Sequence, residues 1–317
     1  MAEVENSLYS TYVVNCAINA LSSYIIYHMT SCTTIVFNIL TIHAMRKTLS
    51  LPKPLKTLLL SLTVSDLAAG LVVQPFYIAL MVTWLKKTYV PLFTANWYRF
   101  FTSIFSWTSF FGVVAISVDR LLAIQLHLRY RAVVTHKRVV GVVISIWLFS
   151  TILSAIRAFR LIPSNVKITR VVLAVTMGLC FICIAIIYFK IYITVQRHLK
   201  EINGLRGPQR EARNAELANI AGQRKSAVGT FFIYLVFLIC YLPEYCRLLL
   251  NILPHDPFTI PMIRFYCFSW TLLFLNSALN PLVYCWKMKN IRRAVMETVR
   301  SIFSKPHGPG HMETTLH

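Results

Sequence analysis

Seven long apolar stretches divide this chain, at about 22–45, 55–84, 95–126, 138–159, 169–196, 226–251 and 261–285. At about 1.5 Å per helical residue, each is long enough to cross roughly 30 Å of hydrocarbon. Polar positions are gathered in short connections between them. The exception is the fifth connection, about 197–225, which is basic, carries Gly204, Gly207, Pro208 and Gly222, and reads partly as helical extensions of its flanks. After the last stretch the period changes. In residues 287–301, KMKNIRRAVMETVRS, Ile291, Val295 and Val299 recur every fourth position with cations beside them. That pattern predicts a short amphipathic helix lying on the membrane surface. The predicted fold class is an all-α membrane protein: a seven-transmembrane helix bundle with a short amphipathic eighth helix. The plan is an extracellular N-terminal segment at 1–21, the seven-helix domain at 22–285, the surface helix at 286–301 and a flexible cytoplasmic tail at 302–317.

Composition supports this plan. Of 317 residues 56% are hydrophobic and only 14% charged, against about 25% charged in soluble domains. The chain has too little charge to cover a soluble surface. Its formal net charge of +21 would suggest nucleic acid in a soluble protein. Here the cations lie in short segments between apolar runs, which points to lipid headgroups and to topology, and no nucleic acid is expected. Arg46, Lys47, Lys53 and Lys56 sit in the first connection, and Arg129, Arg131, Lys137 and Arg138 in the third. The fifth connection is basic, and Lys287, Lys289, Arg292, Arg293 and Arg300 follow the last span. Seven spans place all of these on one side, the cytoplasm, with the N-terminus outside and the protein in the plasma membrane. No basic segment precedes the first apolar run, so the first helix is expected to act as its own signal. There is no N-x-S/T sequon. Five of the eight cysteines lie in apolar stretches, whereas Cys16, Cys246 and Cys267 lie toward the outer side, where a bridge between two of them is chemically open.

Polar groups inside the spans narrow the function. An ionisable side chain in hydrocarbon is costly and usually has a task. Asp66 lies mid-span with no Lys or Arg near it in sequence. It is either satisfied by Ser, Thr and Asn across helices or part of an ion site or switch. Asn38, Asn276 and Asn280 are also intramembrane. Asn280 precedes Pro281, which removes a backbone hydrogen bond. Asp119–Arg120 ends a long apolar helix, and Pro243 should bend the sixth.

These features occur in an order that resembles the rhodopsin-like G-protein-coupled receptors over nearly the whole chain. Asn38 is similar to the family's helix-one asparagine, Asp66 in LSLTVSDLA to its helix-two aspartate and Trp147 to its helix-four tryptophan. Asp119–Arg120–Leu121 resembles D-R-Y with Leu for Tyr. Tyr188 resembles the helix-five tyrosine, Cys240–Tyr241–Leu242–Pro243 resembles C-W-x-P with Tyr for Trp, and Asn280–Pro281–Leu282–Val283–Tyr284 is a complete N-P-x-x-Y. The resemblance implies a non-enzymatic cell-surface receptor whose partners are an extracellular ligand, membrane lipids and a heterotrimeric G protein. It implies an outward swing of the sixth helix about Pro243, engagement of the G protein by Arg120 once released from Asp119, and rearrangement of Tyr188 and Tyr284. It also implies an allosteric sodium ion held by Asp66, Ser109, Asn276 and Asn280.

There are departures. Ala95 stands where the family's outer disulfide begins, and residues 160–170 hold no cysteine, so that bridge cannot form. With the short outer loop and Cys180 in place of the helix-five proline, this is similar to melanocortin, lysophospholipid and cannabinoid receptors. Gln223 replaces the acid that would hold Arg120, which predicts some basal signalling. Phe274 stands where retinal receptors carry lysine, so no retinal is expected, and Thr102 stands where amine receptors carry aspartate.

The ligand site is expected among Thr102, Phe105, Tyr241, Glu244, Arg247, Arg264 and Phe268. An outer excess of cations, including Arg99, Arg157 and Arg170, favours an anionic or lipid-like ligand, whereas Glu244 either pairs with Arg247 or Arg264 or meets a cationic ligand group. A transporter or channel would need repeated broken helices or a polar pore, and an intramembrane enzyme a paired acid, His cluster or activated nucleophile. The sequence shows none of these. A non-coupling atypical receptor is the nearer alternative.

Overall fold

The computed structural model describes residues 2–47, 51–86, 88–126, 129–159, 161, 166–204, 210–253 and 259–303, with side chains in the first helix from Tyr24 onward. The helices are α1 (Ala2–Lys47), α2 (Lys53–Ala68) continued through a π-helical turn (Ala69–Val73) into α3 (Gln74–Leu85), α4 (Leu92–Leu126), α5 (Tyr130–Val133), α6 (His136–Phe159), α7 (Val166–Gly204), α8 (Arg210–Leu250), α9 (Ile260–Lys287) and α10 (Lys289–Phe303). Among the described residues six helical stretches are long and apolar enough to cross a membrane, the first being Tyr24–Lys47. The seventh, α9, has 28 residues. It is less apolar because Asn276, Ser277 and Asn280 face the bundle, where they are buried.

One boundary differs from the sequence reading. α1 begins at Ala2, so residues 2–21 of the expected N-terminal segment continue the first helix. The fifth connection is largely helical extensions of its flanks, as its sequence predicts, with α7 running to Gly204 and α8 starting at Arg210. Charged residues such as Glu201 and Arg210 are good helix formers, which lets both helices continue beyond the apolar run.

The helix faces show what surrounds the bundle. α6 turns Val142, Ile144, Leu148, Phe149 and Ile152 outward, and α7 does the same with Val172, Val175, Leu179, Ile182, Ile186 and Phe189. An apolar surface of that extent is stable against lipid and not against water. α4 is central, packing against α2, α6, α7 and α8. α10 buries Ile291, Ala294 and Thr298 and exposes Arg292, Arg293 and Arg300, as an amphipathic surface helix should. The Lys287 ammonium beside it lies 3.6 Å from the Phe232 ring centre and 3.3 Å from that of Trp286.

Polar side chains tie the spans together where the backbone departs from a regular helix. Pro281 has no N–H, so the Ser277 carbonyl one turn earlier loses its intrahelical donor. Asn38 on α1 supplies one, its amide donating to that carbonyl at 3.0 Å. The second span accommodates Pro75 through the π-helical turn. There the Gly70 carbonyl accepts from Ser31 Oγ at 2.9 Å. Gly70 is required by closeness: a Cβ there would lie 2.9 Å from Thr34 Cγ2. Trp147 Nε1 donates to Ser61 Oγ at 3.1 Å, joining α6 to α2.

Candidate functional site

Three sets of residues lie along the bundle. The first closes the end that carries α10. Asp119 and Arg120 are both buried. One Asp119 carboxylate oxygen accepts from Arg120 Nε at 3.0 Å and from its Nη2. The other accepts from the Tyr130 hydroxyl at 2.7 Å. α5, a single helical turn following α4, brings Tyr130 back over Asp119. Burial, then the adjacent carboxylate, raise the Tyr130 hydroxyl above the ordinary phenol range, so it remains a donor at physiological pH. Tyr188 on α7 is buried against Phe231 and stacked on Tyr234. Its hydroxyl lies near Ser117 and Thr230 without a well-formed hydrogen bond. The Gln223 side chain lies outside the described residues.

The second set is a polar core at mid-bundle. Asp66 is fully buried. Its Oδ2 accepts from Asn280 Nδ2 at 2.7 Å, and the Ser109 and Ser277 hydroxyls lie beside the carboxyl group. Ser109 Oγ also shares a 3.0 Å hydrogen bond with Ser65 Oγ. Asn276 and Asn280 are four residues apart and so share one face of α9. Asp66 Oδ1, Asn276 Oδ1 and Asn280 Oδ1 are buried with no hydrogen-bond donor, and the Tyr284 hydroxyl is also unpartnered. Buried polar atoms are normally satisfied, so these orphaned acceptors, one of them on the Asp66 carboxylate, are chemically suited to a hard cation.

The third set encloses a cavity of about 140 Å³ at the opposite end. Its polar wall comes from Tyr98, Arg99, Thr102, Ser103 and Ser106 on α4, Arg157 on α6, and Glu244 and Arg247 on α8. Its apolar wall includes Trp107, Phe110, Met177, Tyr241 and Trp270. Glu244 is held by Arg247, whose Nε donates to Oε2 at 2.7 Å and whose Nη2 donates to Oε1. The same guanidinium stands 5.7 Å from the Tyr266 ring centre and 5.9 Å from that of Trp270. At the cavity floor Tyr241 stacks on Phe237 at 4.1 Å and meets Phe110 edge-on at 6.1 Å. Pro243 lies inside α8 between this aromatic floor and Glu244.

Of the residues expected at a ligand site, Thr102, Tyr241, Glu244 and Arg247 line this cavity. Phe105 instead stacks on Phe101 and faces Trp147 on α6, and Arg264 and Phe268 are exposed and outside the lining. The sequence reading had counted Arg99 and Arg157 only as outer charge. It missed Tyr98, Ser103, Ser106 and Met177. Tyr98 and Ser106 stand four residues either side of Thr102, a spacing that could have shown the shared face. Cys246 and Cys267 are not bridged to each other, and the Cys16 side chain lies outside the described residues.

Residues 37–284 match the family model "7 transmembrane receptor (rhodopsin family)". Curated relatives are of the same kind. The melanocortin receptor 4 of Danio rerio is 25% identical over 265 residues, covering 82% of this chain and 78% of its own. The adenosine receptor A2b of Gallus gallus is 25% identical, covering 78% of this chain and 79% of its own. The melanocortin receptor 5 of Ovis aries is 23% identical, covering 83% and 79%.

Proposed function

The chain belongs to the rhodopsin family of seven-transmembrane receptors, a G-protein-coupled receptor and not an enzyme, and we propose that it converts an extracellular ligand into heterotrimeric G-protein activation by movement of α8. In this reading the N-terminus is outside, and the end bearing Arg120 and α10 is cytoplasmic. The excess of Lys and Arg in the connections at that end supports the orientation.

The observation that carries the reading is the state of Arg120. It is a buried guanidinium at the cytoplasmic end of the central helix, held by its neighbour Asp119, which is itself held by Tyr130. A cation on an i, i+1 partner is poised to exchange that partner for an acceptor on another protein. The ligand acts from the far end. A group in the cavity meets Tyr241, and Tyr241 rests on Phe237 and Phe110, which reach the bundle core. Pro243, one residue beyond Leu242, leaves α8 without one ladder hydrogen bond, so bending is less costly there than elsewhere in the helix. Outward movement of the cytoplasmic half of α8 takes Phe231 and Tyr234 away from Tyr188. The buried, unpartnered hydroxyls of Tyr188 and Tyr284 then gain new partners, each worth about 1 kcal/mol, which favours the rearranged state. Ligand and G protein bias one equilibrium, so each raises the affinity for the other.

The orphaned oxygens of Asp66, Asn276 and Asn280, with the Ser109 hydroxyl, would hold a sodium ion. The charge of the bound ion would draw α2, α4 and α9 together and favour the resting state. Without it, Asn280 remains the main donor to Asp66.

The test is expression in cultured cells with cAMP and calcium recorded beside an Arg120→Ala variant at matched surface level. Basal or ligand-evoked signalling lost in the variant is the expected result. Signalling that survives Arg120→Ala unchanged would remove the proposed role of Arg120.

A further inference from the structure

We infer that the cavity between α4, α6 and α8 takes a ligand with a carboxylate or phosphate group on a small apolar body, the anion being held by Arg99 and Arg157. This deepens the receptor reading and rests on it, because the cavity is the ligand site proposed above.

Charge comes first. Three arginines and one acid line the cavity. The acid, Glu244, is committed to Arg247 through both carboxylate oxygens. Among the described residues Arg99 and Arg157 form no ion pair. Arg157 also lies within the field of Arg99, Arg170 and Arg247, with Glu244 the opposing charge. Like charges gathered at a partly desolvated mouth repel one another. An anion placed between them removes that repulsion and gains charge-assisted hydrogen bonds. A guanidinium suits a carboxylate or phosphate because its planar fork donates two parallel bonds. Both cations are within a ligand's reach, Arg99 being half-buried and Arg157 open to solvent.

The remaining wall completes the chemistry. Thr102 Oγ1 and Ser103 Oγ are buried without a hydrogen-bond partner, and their hydroxyls can donate to the ligand's remaining oxygens. Trp107, Phe110, Met177, Tyr241 and Leu273 form the apolar side. The volume of about 140 Å³ is close to that of the engineered dry cavity of about 150 Å³ that accepts benzene. The enclosed part of the ligand is therefore ring-sized.

Two sources share this chemistry: a soluble organic anion and a lysophospholipid from the membrane. The experiment uses the full-length receptor in phosphatidylcholine nanodiscs, with thermal stability read against added probe. The anionic probes are 3-phenylpropionate, phenyl phosphate and oleoyl lysophosphatidate; 3-phenylpropanol and phenethylamine are the neutral and cationic counterparts. Saturable stabilisation by anions and not by their counterparts is expected. Stabilisation by the short anions points to a soluble source, and stabilisation by lysophosphatidate alone to a lipid. Arg99→Gln and Arg157→Gln should each weaken anion binding about tenfold. Glu244→Gln should strengthen it by freeing Arg247, and structural damage does not produce both directions. Equal stabilisation by the alcohol or amine, an anion response untouched in both arginine variants, or no anion response up to millimolar probe would each overturn the proposal. The melting readout needs no G protein. Anion binding that persists while signalling is absent would therefore count against coupling and leave the cavity assignment standing.

Discussion

The Asn38–Ser277 hydrogen bond provides a direct check on how this bundle is held together. Pro281 cannot donate to the Ser277 carbonyl, and Asn38 donates in its place at 3.0 Å. Asn38→Ala would leave that carbonyl buried without a donor. A buried group orphaned in this way costs about 1–3 kcal/mol, and interhelical bonds in membrane proteins lie nearer the low end, about 0.6–1.7 kcal/mol. About 1–1.5 kcal/mol is the working figure, or an apparent Tm lower by roughly 2–6 °C for a chain of this size. The substitution also removes the second Asn38 bond, to the Thr34 carbonyl at 2.8 Å, and the unpartnered Oδ1, so the single variant alone does not isolate the term. A double-mutant cycle with Pro281→Ala does. Alanine at 281 restores an N–H that can close the helical bond to Ser277, making Asn38 redundant for that carbonyl. The side effects of removing Asn38 are common to both backgrounds and cancel. The Asn38→Ala penalty should fall by about 1 kcal/mol in the Pro281→Ala background. Purified variants melted in the same detergent would measure it. Additive losses would show that Asn38 does not stand in for the missing proline N–H, and the account of why α1 and α9 are joined there would be wrong.

Three further predictions rest on separate contacts. Gly70→Ala would place a Cβ 2.9 Å from Thr34 Cγ2 and 3.1 Å from Thr34 Cβ, forcing α1 and the second span apart at a cost of about 1–3 kcal/mol; Thr34→Ala in the same chain should recover part of it, and an unchanged melting temperature for Gly70→Ala alone would contradict the packing described. Tyr130→Phe removes the 2.7 Å donor to Asp119. With a hydrogen bond to a charged group worth about 1.5–3 kcal/mol, basal cAMP or calcium signalling should rise several-fold or more at matched surface expression, and basal signalling equal to or below that of the parent chain would refute the idea that Tyr130 helps restrain Arg120. Sodium chloride should stabilise the purified receptor more than choline chloride at equal ionic strength, and Asp66→Asn should abolish the difference; a parent chain that does not distinguish the two salts would remove the sodium site.

Much of the architecture was legible in the sequence because the bilayer imposes length and polarity on each segment before any helix meets another. Seven apolar runs, the clustering of Lys and Arg in the segments between them, and the change of period after Lys287 need no tertiary information. The polar intramembrane residues were also visible, since Asp66, Asn276 and Asn280 stand out against hydrocarbon. The helical reach of α1 back to Ala2 was not visible. Hydropathy reports where a helix fits lipid, not where its backbone bonds stop.

What the sequence by itself determined was therefore the set of apolar spans, their order and the candidate switches at Asp119–Arg120, Pro243 and Asn280–Pro281. Only the tertiary structure decided how each helix is rotated about its axis, and with that which polar group meets which. Period 3.6 assigns residues to a face but does not say what the face looks at. Phe105 and Ser106 are adjacent in sequence, yet one packs on Trp147 and the other lines the cavity. Arg99 and Arg157 lie on successive spans, α4 and α6, far apart in sequence, and nothing local shows that both reach one cavity. Glu244 in the sequence leaves open a pairing with Arg247, a pairing with Arg264 or a cationic ligand group; the bundle selects Arg247, which removes that charge from the site and leaves the arginines in excess. The Ser277 carbonyl finds its donor 239 residues away in sequence. Such partnerships depend on rigid-body packing among all the spans, a property of the assembled bundle that no single segment carries.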